Sequence, residues 1–388
     1  MFDVIKQFLL LGLMSFGGPA AHIGYFHRRF VKELGWVSEQ EFSSIVAISH
    51  LLPGPGSSQV GFAIGYQRAG WLGGLSAFLS FTLPSVLIMI AFAYYGQSLS
   101  HYSWFEPIIH GLKLLAVIVV IDAIWTMFSN FCNDKLTRSL CIGTAVSILL
   151  FQSIGIQVLA IALSGLIGYF YQKRTTEHSQ SSVSEKSAFS LKLNAPITFI
   201  FITLFGLSFF ATDNHLVNTF LNYFQAGSLV FGGGHVVLPL LQDLTNNTLS
   251  KDTFLTGYAL AQGVPGPMFT LATYLGFYGA PNTPIIGSLV ATIAIFMPGF
   301  LLLTCFKNSW INLSKNPTLK GITATINASV VGLLIAALYQ PVFTSTVIQA
   351  SDFAIVIIGL LALKTFKFSI LKLMSLIVLL PIVMTIIL

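Results

Sequence analysis

Ser15-Phe16-Gly17-Gly18-Pro19, followed by Leu52-Pro53-Gly54-Pro55-Gly56-Ser57-Ser58-Gln59, returns half a chain later as Val230-Phe231-Gly232-Gly233-Gly234, followed by Val264-Pro265-Gly266-Pro267-Met268. The phrase is duplicated, and both copies are set in apolar sequence. Pro-Gly-Pro cannot continue a helix, because proline brings no N–H and clashes with the preceding turn. Backbone groups freed in hydrocarbon have no water to turn to, so each break must face protein or a wet cavity. Matched interruptions in the two halves of a membrane chain point to a transporter's substrate site.

The rest of the chain agrees. Of 388 residues, 55% are hydrophobic and only 8% charged, and the mean hydropathy is strongly positive. Runs long enough to cross ~30 Å of hydrocarbon, about 20 helical residues each, are expected at 4–26, 72–95, 112–128, 197–211, 285–306, 322–338 and 373–388. The fold class expected is an all-α integral membrane protein of ten to twelve spans, about five in each of two homologous repeats. The first run has features of a secretory leader, with Lys6, an apolar stretch and the small residues Ala20 and Ala21, but its tail recurs at 231–234, where nothing can be cleaved. Cys132, Cys141 and Cys305 show no CxxC or Cys/His spacing, so neither a disulfide framework nor a metal site is indicated. The net charge of +6 comes from loops, where basic residues report membrane orientation, and there is no nucleic-acid signal.

The polar stretch 172–194 reads as a linker, so the organisation expected is a first repeat at 1–171, a linker with a joining apolar segment at 172–214, and a second repeat at 215–388. Ser38 and Ser250 stand at matching places as helix N-caps, Gly73 falls on Gly287, Pro84 on Pro298 and Gly111 on Gly321. Loop charge differs in sign between the copies. Arg28, Arg29 and Lys32 face Asp243, Lys251 and Asp252; Glu106 faces Lys307, Lys315 and Lys320; Asp134, Lys135 and Arg138 face Asp352. Because positive loops favour the cytoplasmic side, the copies are expected to be inverted about an axis in the membrane plane. Inversion needs an odd number of crossings between repeat starts, which the segments 140–171 and 197–211 leave open.

From Ser38 to Leu52 the pattern is helical, and Ser57-Ser58-Gln59 open a second short helix. The pair forms either a re-entrant hairpin or one broken span. In both cases the second piece begins with free N–H groups, partial positive charge and two hydroxyls, the makings of an anion site. The candidate substrate residues are Gly17, Gly18, Pro53, Gly54, Pro55, Gly56, Ser57, Ser58, Gln59 and Arg68 in the first copy. In the second they are Gly232, Gly233, Gly234, His235, Pro265, Gly266, Pro267 and Thr270. The second copy lacks the serines, so the site is asymmetric. Helix packing is the competing role for the glycines, and an interfacial turn with an aromatic anchor for Arg68. Arg28 and Arg29 read as topology determinants. Asp122, in an apolar run with Gly332 as its counterpart, is the first candidate for proton coupling, with His50 and His22 next.

Taken together, Phe16-Gly17-Gly18-Pro19, Pro53 to Gln59 with Gly65-Tyr66-Gln67-Arg68-Ala69-Gly70, Phe231 to His235 and Val264-Pro265-Gly266-Pro267 resemble the chromate ion transporter family in its long, two-domain form. The resemblance covers nearly the whole chain. It implies a multi-pass permease of the bacterial inner membrane that exports chromate, driven by protons or by exchange with an oxyanion such as sulfate. A permease for sulfate or another small anion is the alternative. The partners implied are a chromate- or sulfate-type anion and membrane lipid; a homodimer is left open, and no cofactor is indicated. No phosphate-binding GxxxxGK[ST] suggests ATP-driven pumping, and no HExxH, GxSxG or paired intramembrane Asp motif suggests an enzyme.

Overall fold

The computed structural model describes residues 1–387 apart from 100, 152, 180–192, 211, 246–247, 311–312 and 314–315. Most of the linker expected at 172–194, the last residue of the run 197–211, Lys315 and the final residue of the run 373–388 therefore lie outside the described residues. The regular structure of the described residues is helical. In the first half they form α1 (Phe2–Met14), α2 (Gly18–Phe26, running on through a π turn, His27–Glu33), α3 (Glu39–Leu51), α4 (Gly56–Leu99), α5 (Phe105–Phe131), α6 (Lys135–Leu150) and α7 (Ile154–Ser179). α8 (Ala195–Leu207) joins the halves. The second half gives α9 (His215–Leu229), α10 (Val237–Thr245), α11 (Lys251–Gly263), α12 (Leu271–Gly279), α13 (Pro284–Cys305), α14 (Pro317–Ala337), α15 (Ala350–Lys364) and α16 (Ile370–Ile387). Among the described residues, five helices are long and apolar enough to cross a membrane: the long run of α4, α5, α7, α13 and α14 with its C-terminal extension.

The run 4–26 is not the single span that its length suggested. The helix stops at Met14, Gly17 and Gly18 take positive φ, and α2 folds back beside α1. The return is fixed by aromatic packing: Phe8 stacks on Phe30 with centroids 4.7 Å apart and meets Phe26 edge-on, all three fully buried. Such pairs add about 0.5–1.5 kcal/mol beyond the area they bury. Arg29 donates to the Gln7 side chain from the same return limb, at 2.8 and 2.7 Å.

α3 and the first arm of α4 (56–68) make a second hairpin. Ser38 and Glu41 form a capping box that starts α3. The hydroxyl and amide of Ser38 donate to Glu41 and hold its carboxyl below the ordinary range. The chain turns at Pro53-Gly54-Pro55 and comes back far enough for the Arg68 guanidinium to lie over the Trp36 ring, 5.3 Å from its centroid. α4 then breaks at Ala69 and Gly70, whose backbones leave the helical region, and its second arm (71–99) runs on past Pro84. Pro-Gly-Pro is therefore the tip of a helical hairpin rather than a kink in one straight helix. The second half repeats the form: across the break at Pro265-Gly266-Pro267, Gly257 of α11 packs on the Tyr274 ring of α12.

The two halves repeat the same internal contacts and then exchange helices. Gly12 presses on the Phe81 backbone and Gly227 on that of Ile295, so α1 lies on the second arm of α4 as α9 lies on α13. The later helices are exchanged: α6 and α7 pack on α14 of the second half, and α15 and α16 on α5 of the first. Small residues permit these approaches, as membrane helices require in the absence of a hydrophobic drive between them.

Candidate functional site

Four hairpin tips meet inside the molecule. The Gly54 amide donates to the Val230 carbonyl at 2.8 Å, and the Gly266 amide donates to the Ser15 carbonyl at 2.8 Å. Each Pro-Gly-Pro tip is thus bound by the residue that ends the first helix of the opposite half. Prolines on both sides bring no N–H, so the glycine amide is the tip's donor. Only glycine serves there: φ is +120° at Gly54 and +98° at Gly266, and a Cβ would stand 2.8 Å from the Gly299 Cα or 2.9 Å from the Ser85 hydroxyl. Ser85 follows Pro84 and Gly299 follows Pro298, so this packing is reciprocal too.

On the first-half side the tip is rich in polar groups. His22 is fully buried; its Nε2 donates to the Ser15 carbonyl at 3.2 Å, which places the ring proton there and leaves Nδ1 to accept from the Ser57 hydroxyl at 3.3 Å. The Gln59 amide donates to the carbonyls of Pro53 (2.9 Å) and Gly299 (3.2 Å). The hydroxyls of Ser15 and Ser58 and the Gln59 carbonyl oxygen are buried without a partner among the described residues. Leaving a buried polar group unpaired costs about 1–3 kcal/mol. Several such groups, clustered beside the start of a helix, are capacity held for something else.

The second-half tip is drier. Pro265, Gly266, Pro267 and Thr270 are buried, and the Thr270 hydroxyl turns back to the Pro267 carbonyl at 2.9 Å. His235 bonds the Tyr258 hydroxyl at 3.0 Å, and the Gln262 amide reaches the Met268 sulfur at 3.5 Å. A cavity of about 30 Å³ is lined by Gly17, Gly18, Val119, His235, Gln262 and Met268, bringing the first glycine pair against the second-half tip. Gly232 and Gly233, at φ +78° and +139°, form the facing turn, with Asn327 of α14 beside Gly232 and its side-chain oxygen unpartnered.

Three sequence candidates stand apart. Arg68 is exposed on Trp36, as an interfacial anchor would be, and does not join the tips. His50 is exposed in the last turn of α3. Asp122, about one-third exposed, is paired with the Lys364 ammonium at the end of α15, and that ammonium also lies 6.0 Å from the Trp125 ring centroid. Sequence reasoning missed Ser15, Tyr258, Gln262, Asn327 and Lys364. Ser15 opens the first motif, and Tyr258 and Gln262 lie on the helix that leads into the second Pro-Gly-Pro, so all three were within reach; Asn327 and Lys364 lie on helices that carry no motif.

A family model described as "Chromate transporter" matches residues 2–169 and 217–386. The chain is 28% identical over 370 residues to a probable chromate transport protein of Synechococcus elongatus, covering 93% of this chain and 88% of that protein. It is 28% identical to an uncharacterized transporter of Methanocaldococcus jannaschii (86% and 82% covered) and 25% identical to a chromate transport protein of Pseudomonas aeruginosa (86% and 79%). No solved structure matches it.

Proposed function

The chain belongs to the chromate transporter family, a family of membrane transporters and not of enzymes, and on that footing we propose that it exports chromate from the cytoplasm across the bacterial inner membrane by secondary transport. The observation that carries the proposal is the meeting of the four tips, with the unpartnered hydroxyls of Ser15 and Ser58 beside the N-terminus of α4. A tetrahedral dianion suits such a place. Helix N–H groups and the helix dipole favour it, and hydroxyls add directional donors without a fixed countercharge that would hold the ion too tightly to release.

His22 and Ser57 supply a route for coupling. In the neutral ring Nδ1 accepts the Ser57 hydroxyl proton; once Nδ1 is protonated it donates to the Ser57 oxygen instead, and the Ser57 hydroxyl is free to turn to an anion. Proton binding and anion binding then favour each other, as drive by a proton gradient or exchange requires. His22 displaces Asp122 as the first coupling candidate, because Asp122 already has a cationic partner; His50 follows it.

The same reading takes the repeats, at 1–171 and 215–388, as inverted. It takes the hairpins of the first half as returning to the face that they leave, and counts the shorter α6 and α8 with the second arm of α4, α5 and α7 as five passes before α9, the odd number that inversion needs. Lys307 supports the sidedness: just after α13 it lies 4.5 Å from the Tyr66 ring centroid, near the end of the hairpin arm that follows the basic loop of Arg28, Arg29 and Lys32.

The test is uptake of radiolabelled chromate into inverted vesicles, with and without excess sulfate and with the gradient collapsed. Gradient-dependent uptake supports export, and competition by sulfate defines selectivity. Ser57→Ala with Ser58→Ala is expected to lower uptake at least tenfold while the folded protein is recovered in normal amount. Unchanged uptake by that variant would remove the tip from the transport path.

A further inference from the structure

The two halves match in their motifs and in their tip contacts, but not in how their Pro-Gly-Pro hairpins meet the neighbouring helices. α11 lies along α5 over an extended contact, whereas its counterpart α3 barely touches α14. Burial tells the same story independently. Leu255, Ala259 and Gln262 of α11 are buried, and their equivalents on α3, Ser43, Ala47 and His50, are exposed. Ile109, Leu112 and Leu114 of α5 are buried, while Leu319, Ile322 and Ala324 of α14 are only half-buried. The matched faces of α3 and α14 are left uncovered at the place where those of α11 and α5 cover each other.

The shut side carries a lock. Lys113 of α5 donates to Asp252, in the first turn of α11, at 2.6 Å. The positions that match these two in the other half are Thr323 on α14 and Gln40 on α3, neutral and not paired with each other in the structure.

We propose that this asymmetry is one of two exchangeable states: α3 can close on α14, bringing Gln40 against Thr323, while α11 leaves α5 and the Lys113–Asp252 pair opens. Each half already holds one of the two arrangements, so each arrangement is one that the repeated fold can adopt. Exchanging them moves the uncovered faces from one side of the tips to the other without disturbing the reciprocal Gly54 and Gly266 bonds. The proposal rests on the transporter reading and gives it a mechanism, in which two gates are worked around a fixed centre. By loop charge the uncovered side faces the cytoplasm, so a chromate ion would enter between α3 and α14 and leave after Lys113 and Asp252 part.

The experiment uses the full chain in membranes, with a protease site inserted into the polar stretch 172–194, between the members of each pair. Two variants, Lys113→Cys with Asp252→Cys and Gln40→Cys with Thr323→Cys, are treated with a short bismaleimide, and the fragments left joined after proteolysis are counted. The native cysteines are buried, and single-cysteine chains give the background. The first pair is expected to join at rest. The second is expected to join slowly at rest and several-fold faster under turnover with chromate, while the first slows. An irreversible linker accumulates even a rarely visited state, so a second pair that never rises above background, in vesicles that transport, overturns the exchange. Joining of the second pair that no anion accelerates, in vesicles that take up neither chromate nor sulfate, upholds the exchange and overturns the substrate reading instead.

Discussion

A methyl group added at Gly54 would meet the Cα of Gly299 at 2.8 Å, on a backbone whose φ of +120° already excludes ordinary side chains. Backbone cannot step aside as a flexible side chain can. Gly54→Ala is therefore expected to cost about 1–3 kcal/mol in strain before any loss of packing, seen as a lower melting midpoint in detergent. Gly24→Ala, in a helix with open space around it, is the control and should be neutral or slightly stabilising. Equal melting of the two variants would mean that the tip yields, and with it the fixed centre. At this scale the sequence was most readable where chemistry is local: proline and glycine at Pro53-Gly54-Pro55 announce a break whatever surrounds them. It was least readable where a residue's meaning depends on a distant partner. Asp122 stood in the sequence as a bare acid among apolar residues, and nothing near it pointed to Lys364, on a helix near the far end of the chain.

Among helices, α5 holds a place that its composition does not advertise. Three ion pairs join the halves among the described residues, and all three end on it: His110 with Asp352 at 2.8 Å, Lys113 with Asp252, and Asp122 with Lys364. His110 and Asp122 are twelve residues apart, as are Asp352 and Lys364, so α5 and α15 run parallel and are clipped at two levels about 18 Å apart. The equivalent pair, α14 and α6, uses a close glycine contact at Gly332 and a hydroxyl bond between Thr144 and Ser329 at 2.8 Å. Asp122→Asn leaves Lys364 without its carboxylate among apolar helices, so a lower yield of monodisperse protein on size exclusion is expected. Asp122→Lys with Lys364→Asp should recover most of it, because the pair is restored with its charges exchanged. Failure of the exchange, with Asp122→Asn well folded, would show that the clip is incidental. Helix length misled at this scale. The run 4–26 is apolar enough to span, and what turns it into a hairpin is the stacking of Phe8 on Phe30, a contact between residues that a hydropathy window treats alike.

In the whole molecule, the duplication written in the sequence becomes a physical equivalence that the contacts then break. Matched motifs made the two-repeat plan legible, because each half must bury similar faces against similar partners. The exchange of α6 and α7 for α15 and α16 between halves was not legible, since apolar helices of like composition give no sign of which neighbour they cover. The break in equivalence has a direct chemical readout in Ala47, exposed on α3, and Ala259, fully buried on α11 at the matching position. A cysteine at each differs from the other in surroundings, not in local sequence role. With the uncovered side of α3 on the cytoplasmic face, Ala47→Cys is expected to react with a membrane-impermeant maleimide in inverted vesicles and hardly at all in right-side-out ones. Ala259→Cys should resist in both until turnover opens α11 from α5, and then react from the outside. The opposite sidedness for Ala47→Cys would reverse the assignment of the faces and make the uncovered side an exit. Equal reactivity of both cysteines from both sides would mean that the halves share one environment, and a single static pore would replace alternating gates.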